Sequence, residues 1–137
     1  MILGIGNDAC YVSRIKSIMN DSSLAHRFME KVFRAEEFFP FRYSIQDSLY
    51  AHYAKKFAAK EACAKALGCG FTEDVLPNQI IVKNNKDGQP YIELVDGALK
   101  RLELISFGYN PKIHVSLSLG NKIDHGIASA MVVIEGL

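Results

Sequence analysis

The sequence predicts an α+β protein in which antiparallel strands pack against one long helix. Three observations carry this. Residues 47–67 are rich in Ala and Lys and are closed by Gly68 and Gly70, the composition and punctuation of a helix. Residues 112–119 alternate, with Ile113, Val115, Leu117 and Leu119 on one face and His114, Ser116 and Ser118 on the other. The cluster Asn84-Asn85-Lys86-Asp87-Gly88 separates two short β-type runs, 79–83 and 89–95, as a hairpin turn does.

The other elements follow in chain order. Residues 2–8 are apolar with Gly4 and Gly6, and read as a first strand ending in a turn. Residues 11–19 form a short helix with Val12, Ile15 and Met19 on one face. Residues 20–23 break it and cap a second short helix that reaches Phe28. The aromatic stretch 33–43, broken by Pro40, is irregular or one helical turn. Asp47 is placed to cap the long helix, whose apolar stripe runs through Tyr50, Tyr53, Ala54, Phe57, Ala64 and Leu67. Residues 98–107 are helical in pattern and stop at 108–111. Residues 127–135 make the last strand, paired with 112–119 across the loop 120–125.

Composition narrows the class. A chain of 137 residues is one ordinary domain, 1–137. With 49% hydrophobic and 23% charged residues it is globular, not disordered. Sixteen Lys+Arg against fifteen Asp+Glu leave a net charge of +1, without the basic excess of a nucleic-acid-binding domain. No apolar run approaches the ~18 residues of a membrane span. The start has no basic leader and carries Asp8 early, so it does not read as a signal peptide. Cys10, Cys63 and Cys69 are odd in number and lack CxxC spacing. They read as free thiols in a reducing, cytoplasmic compartment, with neither a zinc site nor a disulfide frame.

Glu61 is the residue that asks for chemistry. It falls inside the apolar stripe of the long helix, where an unpaired carboxylate is costly to bury. Either Lys65, four residues on, balances it as a salt bridge, or a divalent cation does. Asp8 follows the first strand and is either a cap or turn residue, or the second carboxylate of a magnesium site. Lys55, Lys56, Lys60 and Lys65 line the same helix, either as a solvated face or as partners of a pyrophosphate. Gly68-Cys69-Gly70 reads as a helix stop, with no P-loop pattern. His114 shares its strand face with Ser116 and Ser118, but no GxSxG elbow argues for a nucleophilic serine.

Taken together, three segments closely resemble the AcpS-type 4′-phosphopantetheinyl transferases, the holo-acyl-carrier-protein synthases. They are Gly4-Ile5-Gly6-Asn7-Asp8, the run from Lys56 through Lys60-Glu61 and Lys65 to Gly68, and His114-Val115-Ser116-Leu117-Ser118. Arg27-Phe28 with Glu36, and Gly88-Gln89-Pro90, also fall where that family has similar residues. The match runs almost end to end, and the first two motifs are highly specific in combination.

The resemblance implies the 4′-phosphopantetheinyl transferase fold and an activity. 4′-Phosphopantetheine passes from coenzyme A to a serine of apo-acyl carrier protein, with release of adenosine 3′,5′-bisphosphate, in support of fatty acid biosynthesis. By that likeness Asp8 and Glu61 bind Mg2+, and Lys65 acts with them in catalysis. Lys56 and Lys65 contact phosphates, Gly68 lets backbone approach the nucleotide, and Ser116 and Ser118 belong to the coenzyme A site. Lys56 stands where many members have arginine. The carrier docks on Arg14 and Ile18, with Arg27 and Phe28. The resemblance also implies a homotrimer with active sites at subunit interfaces, while the near-neutral charge and the lack of a long apolar run argue for no nucleic-acid or membrane partner. The base that takes the serine proton is left open between water and a carboxylate. One departure stands out: Leu119 occupies the place of a family histidine, and the loop 120–125 is longer than usual. Either Leu119 is a packing residue, or Lys122 or His125 reaches back in its place.

Overall fold

The computed structural model describes residues 1–39, 46–120 and 126–137. The strands are β1 (Ile2–Tyr11), β2 (Ile80–Asn84), β3 (Pro90–Leu94), β4 (Pro111–Gly120) and β5 (Ile127–Gly136). The helices are α1 (Val12–Met19), α2 (Ser22–Val32), α3 (Gln46–Ala66) and α4 (Asp96–Ser106), with 3-10 turns at Ala35–Glu37 and Pro77–Gln79. β1, β5 and β4 form an antiparallel sheet in that order, and β2 and β3 form a separate hairpin. The α+β arrangement around one long helix is the one the sequence predicts.

The sheet lies on α3. Gly4, Gly6, Asp8 and Cys10 alternate onto one face of β1, beside Ile134, Val132, Ala130 and Ala128 of β5. The four β5 residues are buried, and the exposed Met131 and Ser129 point the other way. On β4, Ile113, Val115, Leu117 and Leu119 are half-buried and alternate with exposed His114, Ser116 and Ser118, as the pattern predicts. The first strand does not end at Asp8. It runs to Tyr11 because Asp8 through Tyr11 pair with Ala130 through Ile127, so Asp8 is a mid-strand residue.

Helix α2 also runs further than Phe28, to Val32, and Asp21 caps it by accepting from the Ser23 and Leu24 amides at 3.1 Å each. Helix α3 begins at Gln46, so Asp47 falls inside it; the Asp47 side chain lies outside the described structure, as does Pro40. Its C-terminus is closed by Gly68 and Gly70, with φ of +81° and +68°, whose amides bond the Lys65 and Ala64 carbonyls. The expected apolar stripe is too narrow. Ala51, Ala58, Ala59, Ala62 and Cys63 are buried as well, because the sheet covers one side of the helix and α1 and β2 cover others.

The reading of the α3 lysines as a solvated face is likewise corrected. Lys56 and Lys60 are buried; only Lys65 is exposed and Lys55 half-exposed.

Candidate active site

Asp8 and Glu61 come together because two glycines let a strand lie directly on a helix. A Cβ on Gly4 would overlap the Ala66 carbonyl oxygen, and one on Gly6 would overlap that of Ala62. The next residue on that face, Asp8, is the first with a side chain to fill the gap. It meets the α3 turn that carries Glu61 and Lys65.

The Asp8 carboxylate is held unequally. Oδ1 accepts from the Ala9 amide at 2.8 Å. Oδ2 is covered and has no hydrogen-bond donor among the described residues. The Lys65 ammonium stands 3.3 Å from Oδ2, close enough for ionic attraction though not aligned as a hydrogen bond, and donates to the Asn7 carbonyl at 3.3 Å. Lys65 therefore pairs with Asp8, and the expected Glu61–Lys65 salt bridge is not the contact made. Burial and the hydrogen-bonded, charged Asp8 push the Glu61 carboxyl up to about 7, while Arg14 and Lys65 pull it part of the way back. Burial also opposes ionisation of Asp8, but hydrogen bonds from Glu61 and the Ala9 amide, with Lys65, outweigh it and hold Asp8 below its usual value.

Two facing carboxyls, one with an orphaned covered oxygen, are a fit for a hard divalent cation, which takes oxygen ligands and few protein carboxylates when phosphates complete its shell. Among the described residues no cluster of three or more His, Cys, Asp or Glu offers a metal site made by protein alone.

One cavity reaches Asp8 and Lys65, a second lies beyond it on β4, and Glu61 lines neither. The nearer, about 600 Å³, is lined by Asp8, Asn7, Lys65, Ser116, Ser118, Ser129 and Met131 among others. The larger, about 640 Å³, lies between the β2–β3 hairpin and β4. Lys55, Asn84, Asn85, Gln89, Tyr91, Lys112 and His114 line it. Ser116 and Ser118 border both. His114 meets Glu135 at 3.1 Å and makes no pair with a serine.

Other expected residues are placed differently. Lys56 donates to the Val82 carbonyl at 2.6 Å and lines neither cavity, because that carbonyl is the acceptor its burial supplies. Gly68 lies just past the C-terminus of α3, where an added Cβ would stand 3.4 Å from the Arg101 guanidinium, and also lines neither. Leu119 packs against the core, while Lys122 and His125 lie outside the described residues.

Of the residues expected to dock the carrier, Arg14 and Phe28 meet Phe57. The Arg14 guanidinium sits 5.4 Å from the centroid of the Phe57 ring, and the Phe28 ring lies tilted against it at 5.5 Å. Ile18, Arg27 and Phe28 line one shallow depression with Leu24, Lys31 and Val32.

One pair went unnoticed in the sequence. The Glu37 and Lys60 side chains are wholly covered and meet at 2.8 Å. The available signal was a lysine set among Ala58, Ala59, Ala62 and Cys63, a position no solvated residue holds.

The class comes from comparison with known proteins, which places the chain among transferases. Residues 4–116 match the family model of the 4′-phosphopantetheinyl transferase superfamily, and the chain belongs to that family. Within it the chain is similar to the holo-[acyl-carrier-protein] synthase of Caulobacter vibrioides, at 41% identity over 100% of this chain and 98% of that one. Among solved structures, the Plasmodium yoelii acyl carrier protein synthase with ADP bound is 32% identical, with a TM-score of 0.81 over 100% of this chain and 97% of that one. The Bacillus anthracis holo-(acyl-carrier-protein) synthase in complex with coenzyme A (3′,5′-ADP) is 28% identical, with a TM-score of 0.74 over 100% and 99%.

Proposed function

We infer that this chain is an enzyme of the holo-acyl-carrier-protein synthase type. It transfers 4′-phosphopantetheine from coenzyme A to a serine of apo-acyl carrier protein and releases adenosine 3′,5′-bisphosphate, a step that serves fatty acid biosynthesis. The observation that carries the reading is the Asp8–Glu61 carboxylate pair with Lys65 on its rim, beside a cavity that Asp8 and Lys65 line together with Ser116 and Ser118.

In this reading Asp8 and Glu61 would hold Mg2+, with Asp8 Oδ2, which has the Lys65 ammonium at 3.3 Å, as one ligand oxygen. When bound, the ion supplies Lewis-acid stabilisation to a pyrophosphate. Lys65, fixed by Asn7 and Asp8, adds positive charge beside the phosphates. The serine oxygen attacks the pantetheine-side phosphorus in line. A new O–P bond forms, the bond to the bridging oxygen breaks, and the serine proton passes to water or a carboxylate. Ser116 and Ser118 flank the ligand between the two cavities. Lys56 and Gly68 would reach phosphate or nucleotide only from a second subunit's ligand or after rearrangement.

The carrier docks on the α1–α2 face, with Arg14 and Arg27 for its acidic groups and Ile18 and Phe28 for its apolar ones. We also propose that the whole chain, 1–137, is one cytoplasmic domain that assembles as a trimer with sites at the interfaces. The half-covered apolar row of β4, at the sheet edge, supports a further subunit there. Among the described residues no helix is long and apolar enough to cross a membrane. The decisive assay mixes protein, coenzyme A, Mg2+ and apo-acyl carrier protein and weighs the carrier. Gain of one phosphopantetheine is expected; an unchanged carrier mass refutes the reading.

A further inference from the structure

We propose that the buried Glu37–Lys60 pair is a positioning element that sets the β2–β3 hairpin, one wall of the larger cavity, against the turn of α3 that bears Glu61. The inference rests on the reading above, in which that cavity takes the nucleotide end of coenzyme A.

All the hydrogen-bonding capacity of the Lys60 ammonium is used. It donates to Glu37 Oε1 at 2.8 Å, to the Pro77 carbonyl at 3.0 Å and to the Ile80 carbonyl at 2.6 Å. Glu37 Oε1 also accepts from the Arg34 amide at 3.0 Å, and Oε2 accepts from the Val82 amide at 3.0 Å. One ion pair thus ties α3 to the turn at Ala35–Glu37, the turn at Pro77–Gln79 and the first residues of β2. A charge pair buried this completely tolerates one arrangement, because any shift leaves a covered charge without a partner. An apolar contact in the same place would let the hairpin slide.

The strand anchored here runs straight into Asn84 and Asn85, which line the larger cavity. The carboxylate site has a separate anchor, the contact of Gly4 and Gly6 with Ala62 and Ala66. Loosening the ion pair therefore moves the nucleotide wall while leaving Asp8, Glu61 and Lys65 together.

The test compares the unaltered protein, Glu37→Gln and the double variant Glu37→Gln/Lys60→Met, in steady-state transfer from coenzyme A and in calorimetric titration with adenosine 3′,5′-bisphosphate. For both variants the KM for coenzyme A should rise on the order of tenfold, with nucleotide affinity falling in step, while kcat and the KM for carrier stay near the unaltered values. The double variant, free of an unpaired charge, should regain thermal stability lost by the single one and keep the high KM. A KM that returns to normal with stability, or a loss confined to kcat, overturns the positioning role. Absence of transfer by the unaltered protein would instead remove the functional reading beneath it. Should neither variant fold, hydrogen exchange of the unaltered protein decides the matter. Saturating adenosine 3′,5′-bisphosphate should slow the Ile80–Asn84 amides together with those around Lys60, and slowing confined to the 85–88 turn overturns the proposal.

Discussion

Gly6 lies against Ala62 with no room for a methyl group between them: a Cβ on Gly6 would overlap the Ala62 carbonyl oxygen and stand 2.7 Å from the Ala66 amide nitrogen. Both obstacles are backbone atoms inside a helix, so neither can step aside. The distance from Asp8 to α3, and with it the carboxylate site, depends on this contact.

Gly6→Ala should therefore lower stability by ~1–3 kcal/mol or more, the scale of overpacking a tight core, and lower transfer activity even at temperatures where the variant is folded. Thermal unfolding and the carrier mass assay measure the two effects. An unshifted melting temperature with full activity would show that the strand and helix can separate freely.

Asp8→Asn and Glu61→Gln should each nearly abolish transfer while keeping the fold, since each retains shape and loses anionic charge toward the metal. A readout independent of turnover is the effect of Mg2+ on melting temperature. The ion should raise it in the unaltered protein by mass action and fail to do so in either variant. Chelation with EDTA should reverse both the stabilisation and the activity. Without metal, Glu61→Gln should melt at or above the unaltered protein, because burial and Asp8 already disfavour the Glu61 charge.

Arg14→Glu should raise the KM for carrier protein far more than that for coenzyme A, because Arg14 lies on the α1–α2 face over Phe57 and lines neither of the two cavities along β4. Added salt should weaken carrier binding to the unaltered protein. Equal effects on both substrates would count against docking by Arg14.

His52 gives the protein an acid limit. Its Nε2 hydrogen-bonds the Glu37 carbonyl at 2.7 Å, as a neutral ring donating, and its ring lies edge-on to Phe39 and Tyr53. Burial lowers its pKa to about 4, the Glu37 bond opposes this, and the Lys56 and Lys55 charges add to the depression. The unfolded chain takes up the proton near pH 6.5 and the folded chain only near 4. Stability is therefore whole above 6.5 and falls as pH drops through that window. Denaturant unfolding between pH 7.5 and 4.5 should show a shallower fall for His52→Gln; parallel curves would assign the loss to other groups.

Sedimentation should give a trimer, with activity falling on dilution below the assembly constant. A monomer at full specific activity would remove the interfacial site.

By itself the sequence determined the local elements. Asn84 through Gly88 turns, Gly68 and Gly70 stop α3, and β4 alternates, because backbone sterics and side-chain period act over a few neighbouring residues. The pairing of Asp8 with Glu61 was legible through the combined motifs, although neither position alone decided between a cap, a salt bridge and a metal ligand. Tertiary structure decided what depends on contacts between distant segments. Strand β1 continues to Tyr11 because β5, more than a hundred residues away in the chain, supplies its partners. Lys65 turns to Asp8 in preference to Glu61 because β1 lies within reach. Lys56 and Lys60 go inward, against every average for lysine, because carbonyls of Val82, Pro77 and Ile80 and the carboxylate of Glu37 converge on them. A covered charge is stable only where such acceptors meet, and their meeting is a property of the folded chain that helix periodicity does not encode.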